Sequence, residues 1–258
     1  MESVGLRPLL AEDPDLADAV PPQVRNAAGP RVLIDVVEIG RRSSGSELGT
    51  PTGETGLGLL VLRGLLLRRV EVMSKLSYEL LGPGDLITRL AAQVETELLL
   101  PHAVSWRALD DIRIAVLDDA FLERAAPWPR LSYAITTRGL RRADSVSLER
   151  ALAQLRVDVR MDLLLWHLAS RWGKVIGDGL IRLTLPVTHE ILAHIAGCSR
   201  PTATWALSRL TELRLIDREA GDWLLQGSLQ RHLIRLRDSA AHADRALHSP
   251  VRLNGPAS

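Results

Sequence analysis

Five residues recur on one side of a short periodic segment: Arg200, Pro201, Thr204, Trp205 and Ser208. Ala203, Ala206, Leu207 and Leu210 fall at i, i+3, i+4 and i+7, which makes one apolar stripe of a helix and turns the first set outward. An arginine at the leading end of such a helix has a defined chemistry. Its planar guanidinium donates two parallel hydrogen bonds to O6 and N7 of guanine in the major groove of DNA. Thr204 and Ser208 add hydroxyls suited to a groove or a backbone. Trp205 is the unusual companion, a large aromatic ring on a face that should be wet.

The neighbouring residues supply the frame that this helix needs. Thr188 can cap a preceding helix whose first turn carries Glu190, where a negative charge is favoured. Ile191, Leu192, Ile195 and Ala196 give that helix an apolar face. Gly197 suits a left-handed C-terminal cap, Ser199 can cap the second helix, and Pro201 falls in its first turn, where a missing N–H is no loss. The spacing predicts two helices hinged at Gly197, a helix-turn-helix. Residues 213–216 and then 217–225 read as strand, glycine-containing turn and strand, a wing. Upstream, 160–172 reads as an amphipathic helix and 180–185 as a strand, and 228–237 should close the domain as a helix. From Ala240 onward the polar composition predicts a frayed tail.

The words Thr188-x-Glu190, Gly197-Cys-Ser-Arg-Pro-Thr202, Leu207-x-x-Leu210 and Leu215-Ile216 resemble the DNA-binding domain of the CRP/FNR family of bacterial transcription regulators. The resemblance implies that Arg200 reads a base and that Ser199, Pro201, Thr202, Thr204, Trp205, Ser208, Arg209 and Arg218 lie at the DNA. Thr202, Arg209, Arg214 and Arg218 are placed to contact phosphates, which position a protein without specifying sequence; the alternative for the three arginines is a solvated surface. Pro201 and Trp205 depart from the residues usual at their places, so the operator best known for the family is not carried over.

The N-terminal half has a different period. Residues 1 to about 28 read as short helices broken by prolines. Strands are expected over 31–39, 57–63, 65–72, 77–81, 102–108 and 111–117, with a glycine-rich loop over 40–56 and a turn at Gly82-Pro-Gly-Asp85. Residues 86–100 read as a short helix or loop, and 118–126 as a helix capped by an aspartate. Many short strands separated by glycine turns suggest a small antiparallel barrel or roll. Val61-Leu-Arg-Gly-Leu65, Gly82-Pro-Gly-Asp-Leu-Ile87 and Ile114-Ala-Val-Leu-Asp118 are similar to the effector domain of the same family. A long helix follows, with Leu131, Ile135, Ala143, Val146, Leu152 and Leu155 as its stripe. In the family this helix forms a parallel coiled coil between two copies; the alternative is a helix lying on its own barrel. Asp158 would be the hinge.

The expected architecture is therefore α+β: an N-terminal antiparallel β-roll of the cyclic-nucleotide-binding type over 1–127, a dimerisation helix over 128–158, a winged helix-turn-helix over 159–237, and a flexible tail over 238–258. The expected function is a homodimeric, sequence-specific transcription regulator on an inverted-repeat operator, controlled by an unidentified effector. Its partners would be double-stranded DNA and, as a further one, RNA polymerase. The competing class is a ligand-binding or scaffold protein whose degenerate winged helix serves protein contact, with the outward Trp205 as its support.

Composition bounds these readings. The chain has 258 residues and 46% hydrophobic content, enough for two ordinary domains or a single large one. Its 32 Lys+Arg against 31 Asp+Glu leave DNA binding to a local basic face. The single Cys198 excludes an intramolecular disulfide and an all-cysteine metal site. The N-terminus lacks the apolar run of a signal peptide, and no apolar run is long enough to span a bilayer, so a cytoplasmic protein without membrane contact is expected. No catalytic constellation, metal site or cofactor motif is evident, and no enzyme is expected. Cyclic nucleotide binders of the family carry a Gly-Glu pair after the Gly-Asp turn and an Arg-(Ser/Thr)-Ala word later. Here Leu86-Ile-Thr-Arg-Leu90 and Pro101-His-Ala103 stand at those places, so cyclic AMP is not expected to bind in the usual mode. Arg63, Arg68, Arg69 and Arg107 could line an anionic pocket, although a solvated strand face is the plainer place for them.

Overall fold

The computed structural model describes residues 2–45, 48, 56–88, 102–177 and 179–247. The chain divides into two compact units, one of residues 1–151 with 186–197, the other of 152–185 with 198–258.

The first unit is a roll of two antiparallel sheets. Strands β1 (Glu2–Pro8), β2 (Leu33–Ile39), β9 (Ile112–Leu117), β4 (Gly58–Arg63) and β7 (Leu86–Thr88) form one sheet in the order β1-β2-β9-β4-β7. Strands β3 (Ser44–Gly45), β8 (Ala103–Ala108), β5 (Leu66–Val72) and β6 (Lys75–Leu81) form the other, in the order β3-β8-β5-β6. Around its centre the first sheet is buried on both faces, which explains why β4 and β9 read as nearly unbroken apolar runs. Val37, Leu59, Val61, Ile114 and Val116 face Leu66, Leu81 and Ala108 of the second sheet. Ile34, Val36, Leu60, Ala115 and Leu117 face a helical layer carrying Leu9, Leu16, Phe121, Leu131 and Ile135. The tight connection between β4 and β5 needs Gly64, at φ +82°, because a Cβ there would run into the Asp111 carbonyl. The Gly-Asp turn forms as expected, with the Gly82 N–H donating to the buried Asp85 carboxylate at 2.8 Å.

Several expectations are corrected in this unit. Residues 2–8 are not helical but form β1, an edge strand whose pairing with β2 shifts at Gly5. Gly5 and Pro8 conceal it, since proline is tolerated at the end of an edge strand. The helices α1 (Leu9–Glu12) and α2 (Arg25–Ala28), with 3-10 turns over Pro14–Ala19 and Pro22–Val24, follow as anticipated. The loop over 40–56 contains β3, and 86–88 is strand β7 rather than helix or loop; 89–101 lie outside the described residues. Helix α3 (Asp119–Ala125) is capped by Asp118, whose carboxylate accepts from the Phe121 N–H at 2.7 Å.

The long helix α4 (Pro129–Leu152) exists, but its stripe is divided. Leu131 and Ile135 are wholly buried in the core of the roll, and Arg138 and Arg142 on the same side pair with Asp13 and Glu79. The outward side carries Tyr133 at 75%, Leu140 at 64% and Leu148 at 44% exposure. The inner stripe therefore anchors the helix to its own roll, and a different set of residues is left for any partner. The chain breaks over 153–156, ahead of Asp158, which is buried in the first turn of the next helix.

In the second unit, α5 (Val157–Trp172) buries Met161, Leu164, Leu165 and Leu168. Strands β10 (Lys174–Gly177), β11 (Leu180–Leu183), β12 (Ile216–Glu219) and β13 (Asp222–Gln226) form a sheet in the order β10-β11-β13-β12. Strand β10 is not anticipated by the sequence pattern. The wing's first strand starts at Ile216 rather than Leu213, because Arg214 takes a left-handed φ of 52° and turns the chain. The closing helix α8 (Leu229–Leu247) runs beyond the expected 237; residues from 248 lie outside the described ones. No helix among the described residues is long and apolar enough to cross a membrane.

Candidate nucleic-acid interface

The first unit contributes α6 (His189–Ala196). The Thr188 hydroxyl caps it by accepting from the Ile191 N–H at 3.3 Å, and Glu190 sits in its first turn. Ile191, Leu192, Ala193, Ile195 and Ala196 are buried. Gly197 ends it at φ 65°, ψ 42°, the left-handed conformation that the sequence position demands. His194 points to the roll, where its ring lies 4.6 Å from that of Tyr78 on β6.

The second unit supplies the other half of the motif, α7 (Arg200–Glu212). Ser199 accepts from the Thr202 N–H at 3.3 Å, and its hydroxyl lies 2.7 Å from that of Thr202. Ser199 is thus the cap, and the two hydroxyls are bonded to each other. Ala203, Ala206, Leu207 and Leu210 are buried, and α7 packs on α5 through this stripe. Arg200, Pro201, Thr204, Trp205 and Ser208 are exposed along the opposite side, Trp205 at 54%. The predicted division of this helix into a packed and a presented face is therefore realised residue by residue. Among the described residues Arg200 has no carboxylate partner, whereas Arg209 pairs with Glu212 at 3.3 Å.

On the wing, Arg218 donates to the Gly221 carbonyl at 2.8 Å and its guanidinium lies 4.2 Å over the Trp223 ring. Its charge is held at a fixed place on the hairpin, close to the turn. Arg182 on β11 reaches across the sheet to Glu219 at 2.9 Å and Asp222 at 3.6 Å. Cys198 is half-buried in the turn; burial pushes its thiol up, against a weaker pull from Arg160, which makes it a poor nucleophile.

Sequence reasoning missed the polar cluster that supports this unit. Asp162 on α5 and His232 on α8 are both fully buried, with Oδ1 and Nδ1 2.7 Å apart. Trp166 Nε1–H donates toward the same Nδ1 at 3.0 Å, and His232 Nε2 lies 2.6 Å from the Gln226 carbonyl at the end of β13. Burial pushes the Asp162 carboxyl up, and His232 opposes that shift. The available signal was an aspartate within the apolar stripe of α5, flanked by Met161 and Leu164. In the first unit the counterpart is Glu79. Arg142 binds both its oxygens, at 2.7 and 2.9 Å, and Arg68 binds at 3.2 Å. Burial opposes the Glu79 charge, but the two guanidiniums outweigh it and hold its carboxyl below the usual value. Arg68 is therefore not on a solvated strand face. Among the described residues no group of His, Cys, Asp and Glu converges as a metal site. Pro101 and residues 89–90, which bear on the cyclic nucleotide words, lie outside the described residues.

Residues 160–226 match the model of the Crp-like helix-turn-helix domain. Among solved structures, a cyclic nucleotide-binding domain containing protein from Listeria monocytogenes EGD-e is similar over 83% of this chain and 96% of its own, at 12% identity and a TM-score of 0.58. FixK2 from Bradyrhizobium japonicum is similar over 77% and 95%, at 18% identity and 0.54. A transcriptional regulator of the CRP/FNR family from Thermus thermophilus is similar over 78% and 98%, at 20% identity and 0.50. Comparison with curated protein sequences finds no significant match. The chain carries a Crp-like helix-turn-helix domain and has the fold of the CRP/FNR-type transcription regulators.

Proposed function

We propose that the protein is a homodimeric, sequence-specific DNA-binding transcription regulator that reads an inverted repeat through α7. The observation that carries this reading is the face of α7: Arg200, Thr204, Trp205 and Ser208 exposed together above a fully buried stripe, with Arg218 fixed on the wing behind it. Arg200 reads a base by bidentate contact, Thr204 and Ser208 follow the groove, and Trp205 with Pro201 packs against sugar or a thymine methyl. Ser199, Thr202, Arg209 and Arg218 contact phosphates, the first two at the positively polarised start of α7. A second copy packs on the outward side of α4, through Tyr133, Leu140 and Leu148. The protein works in the cytoplasm by binding rather than by catalysis, with RNA polymerase as a downstream partner and cyclic AMP not its effector.

The test is a mobility shift on sequences selected from random DNA. Affinity should fall steeply with salt, because phosphate neutralisation releases counterions. Failure to enrich any inverted repeat would refute the reading.

A further inference from the structure

The second sheet of the roll has two faces of different character. Leu66, Arg68, Leu81, Glu79 and Ala108 point to the interior side, as the register of β5 with β6 and β8 requires. On the other side, Arg69 stands directly opposite both Tyr78 and Ser105, and Leu67 opposite Arg107, which in turn faces Ser44 of β3. These six residues line one cavity of about 380 Å³. It is a donor-rich hollow: two guanidiniums and three hydroxyls around an aliphatic floor formed by the buried Leu67. Glu71 binds Arg69 at 2.7 Å and offsets part of the charge. Among the described residues Arg107 has no carboxylate partner, so the described lining carries net positive charge.

We infer that this hollow is a binding site for a small phosphomonoester. A phosphomonoester brings three strong acceptor oxygens and about −1.5 to −2 charge, which matches two fork-shaped cations flanked by hydroxyls. A simple carboxylate would be satisfied by one guanidinium and leave the other donors idle. Leu67 and the Tyr78 ring provide a surface for the ester's organic part. Tyr78 forms a wall of the hollow and its ring also touches His194 of α6, so occupancy bears on the first helix of the helix-turn-helix. That last step rests on the DNA-binding reading; the site itself does not.

The experiment is calorimetric titration of the full chain, without DNA, with phenyl phosphate and with phenol as the uncharged control. Saturable binding of one phenyl phosphate per chain is expected, and none of phenol. Arg69→Gln and Arg107→Gln should each weaken it about tenfold or more, the scale of a lost hydrogen bond to a charged group. Arg63→Gln, on the exposed end of β4 outside the hollow, should leave it unchanged. Absence of saturable heat, equal binding by all variants, or equal weakening by Arg63→Gln would each overturn the site. Loss of DNA binding alone, with the titration intact, would overturn the regulator reading and leave the site standing.

Discussion

Asp162 Oδ1 and His232 Nδ1 lie 2.7 Å apart with no solvent access, and they join the first and last helices of the second unit. The Gln226 carbonyl can only accept, so His232 Nε2 carries a hydrogen. The Trp166 indole can only donate, toward Nδ1. Asp162 Oδ1 lies against the same Nδ1, and burial pushes its carboxyl up while His232 opposes that shift.

This arrangement predicts an asymmetry between two substitutions. Asp162→Asn keeps a donor toward Nδ1 and should cost about 1 kcal/mol, the net worth of an ordinary hydrogen bond. Asp162→Ala leaves buried polar groups unpaired over a cavity and should cost about 2–5 kcal/mol. Urea unfolding followed by tryptophan fluorescence measures both. Equal destabilisation by the two would show that the charge of the carboxylate, which asparagine lacks, holds the cluster rather than its hydrogen bond.

Glu79 gives a pH dependence of defined sign. Its carboxyl is held below the usual value, so the folded state binds its proton less readily than the unfolded state does. The stabilisation is fully present above the unfolded carboxylate value, about pH 4.3, and is lost as pH falls through the lower folded value. Thermal melts across the acid range should show this loss, and Glu79→Gln should flatten that limb. At neutral pH the same variant removes the carboxylate that Arg68 and Arg142 share and should cost about 1–3 kcal/mol, the scale of hydrogen bonds to a charged group.

The outward side of α4 predicts the residues of self-association. Leu140→Glu with Leu148→Glu should halve the mass in sedimentation while leaving the circular dichroism of the roll intact, since both side chains are exposed. Leu131→Glu should instead unfold the first unit, because that side chain is wholly buried in its core. A dimer that survives the double substitution would place the interface elsewhere.

Arg200 and Arg209 should differ in kind. Two α7 helices in a dimer would lie about 34 Å apart, one turn of DNA, each reading one half of an inverted repeat. Arg200→Ala should cost about 1–3 kcal/mol at one base position and relax the preference there. Arg209, held toward Glu212, should contribute equally to all sequences, and its removal should lower the salt slope by about one. Binding to every single-base variant of the selected site, at two salt concentrations, separates the two. Uniform weakening by Arg200→Ala would disprove the docking of this helix.

The legibility of the sequence follows the strength of its local signals. The motif from Thr188 to Leu210 was readable because caps, a left-handed glycine and a helical stripe all agree, and both caps form as expected. The strand β1 was hidden because Gly5 and Pro8 suppress strand propensity while edge pairing tolerates both. The stripe of α4 was legible as a stripe but not in its partner. Leu131 and Ile135 would look the same facing a second chain or their own sheet, and only their place in one core cluster with Leu60 and Ala115 decides. Arg68 was misplaced for a similar reason: nothing local to it reveals that Glu79 and Arg142 wait on the inner side. The hollow around Arg69 and Arg107 combines residues from strands far apart in sequence, so only register could assemble it.

Leu131 and Ile135 complete the core beneath the first sheet, and Arg142 reaches the Glu79 carboxylate about two turns beyond Ile135 on the same helix. The start of α4 is therefore a part of the roll's own core rather than a tether leaving it. Anyone cutting the chain to study the roll alone should cut beyond Arg142. A fragment stopped before Pro129 would open Leu60 and Ala115 to water and strand Glu79 with half its counter-charge, and it should be recovered as an aggregate instead of a folded domain.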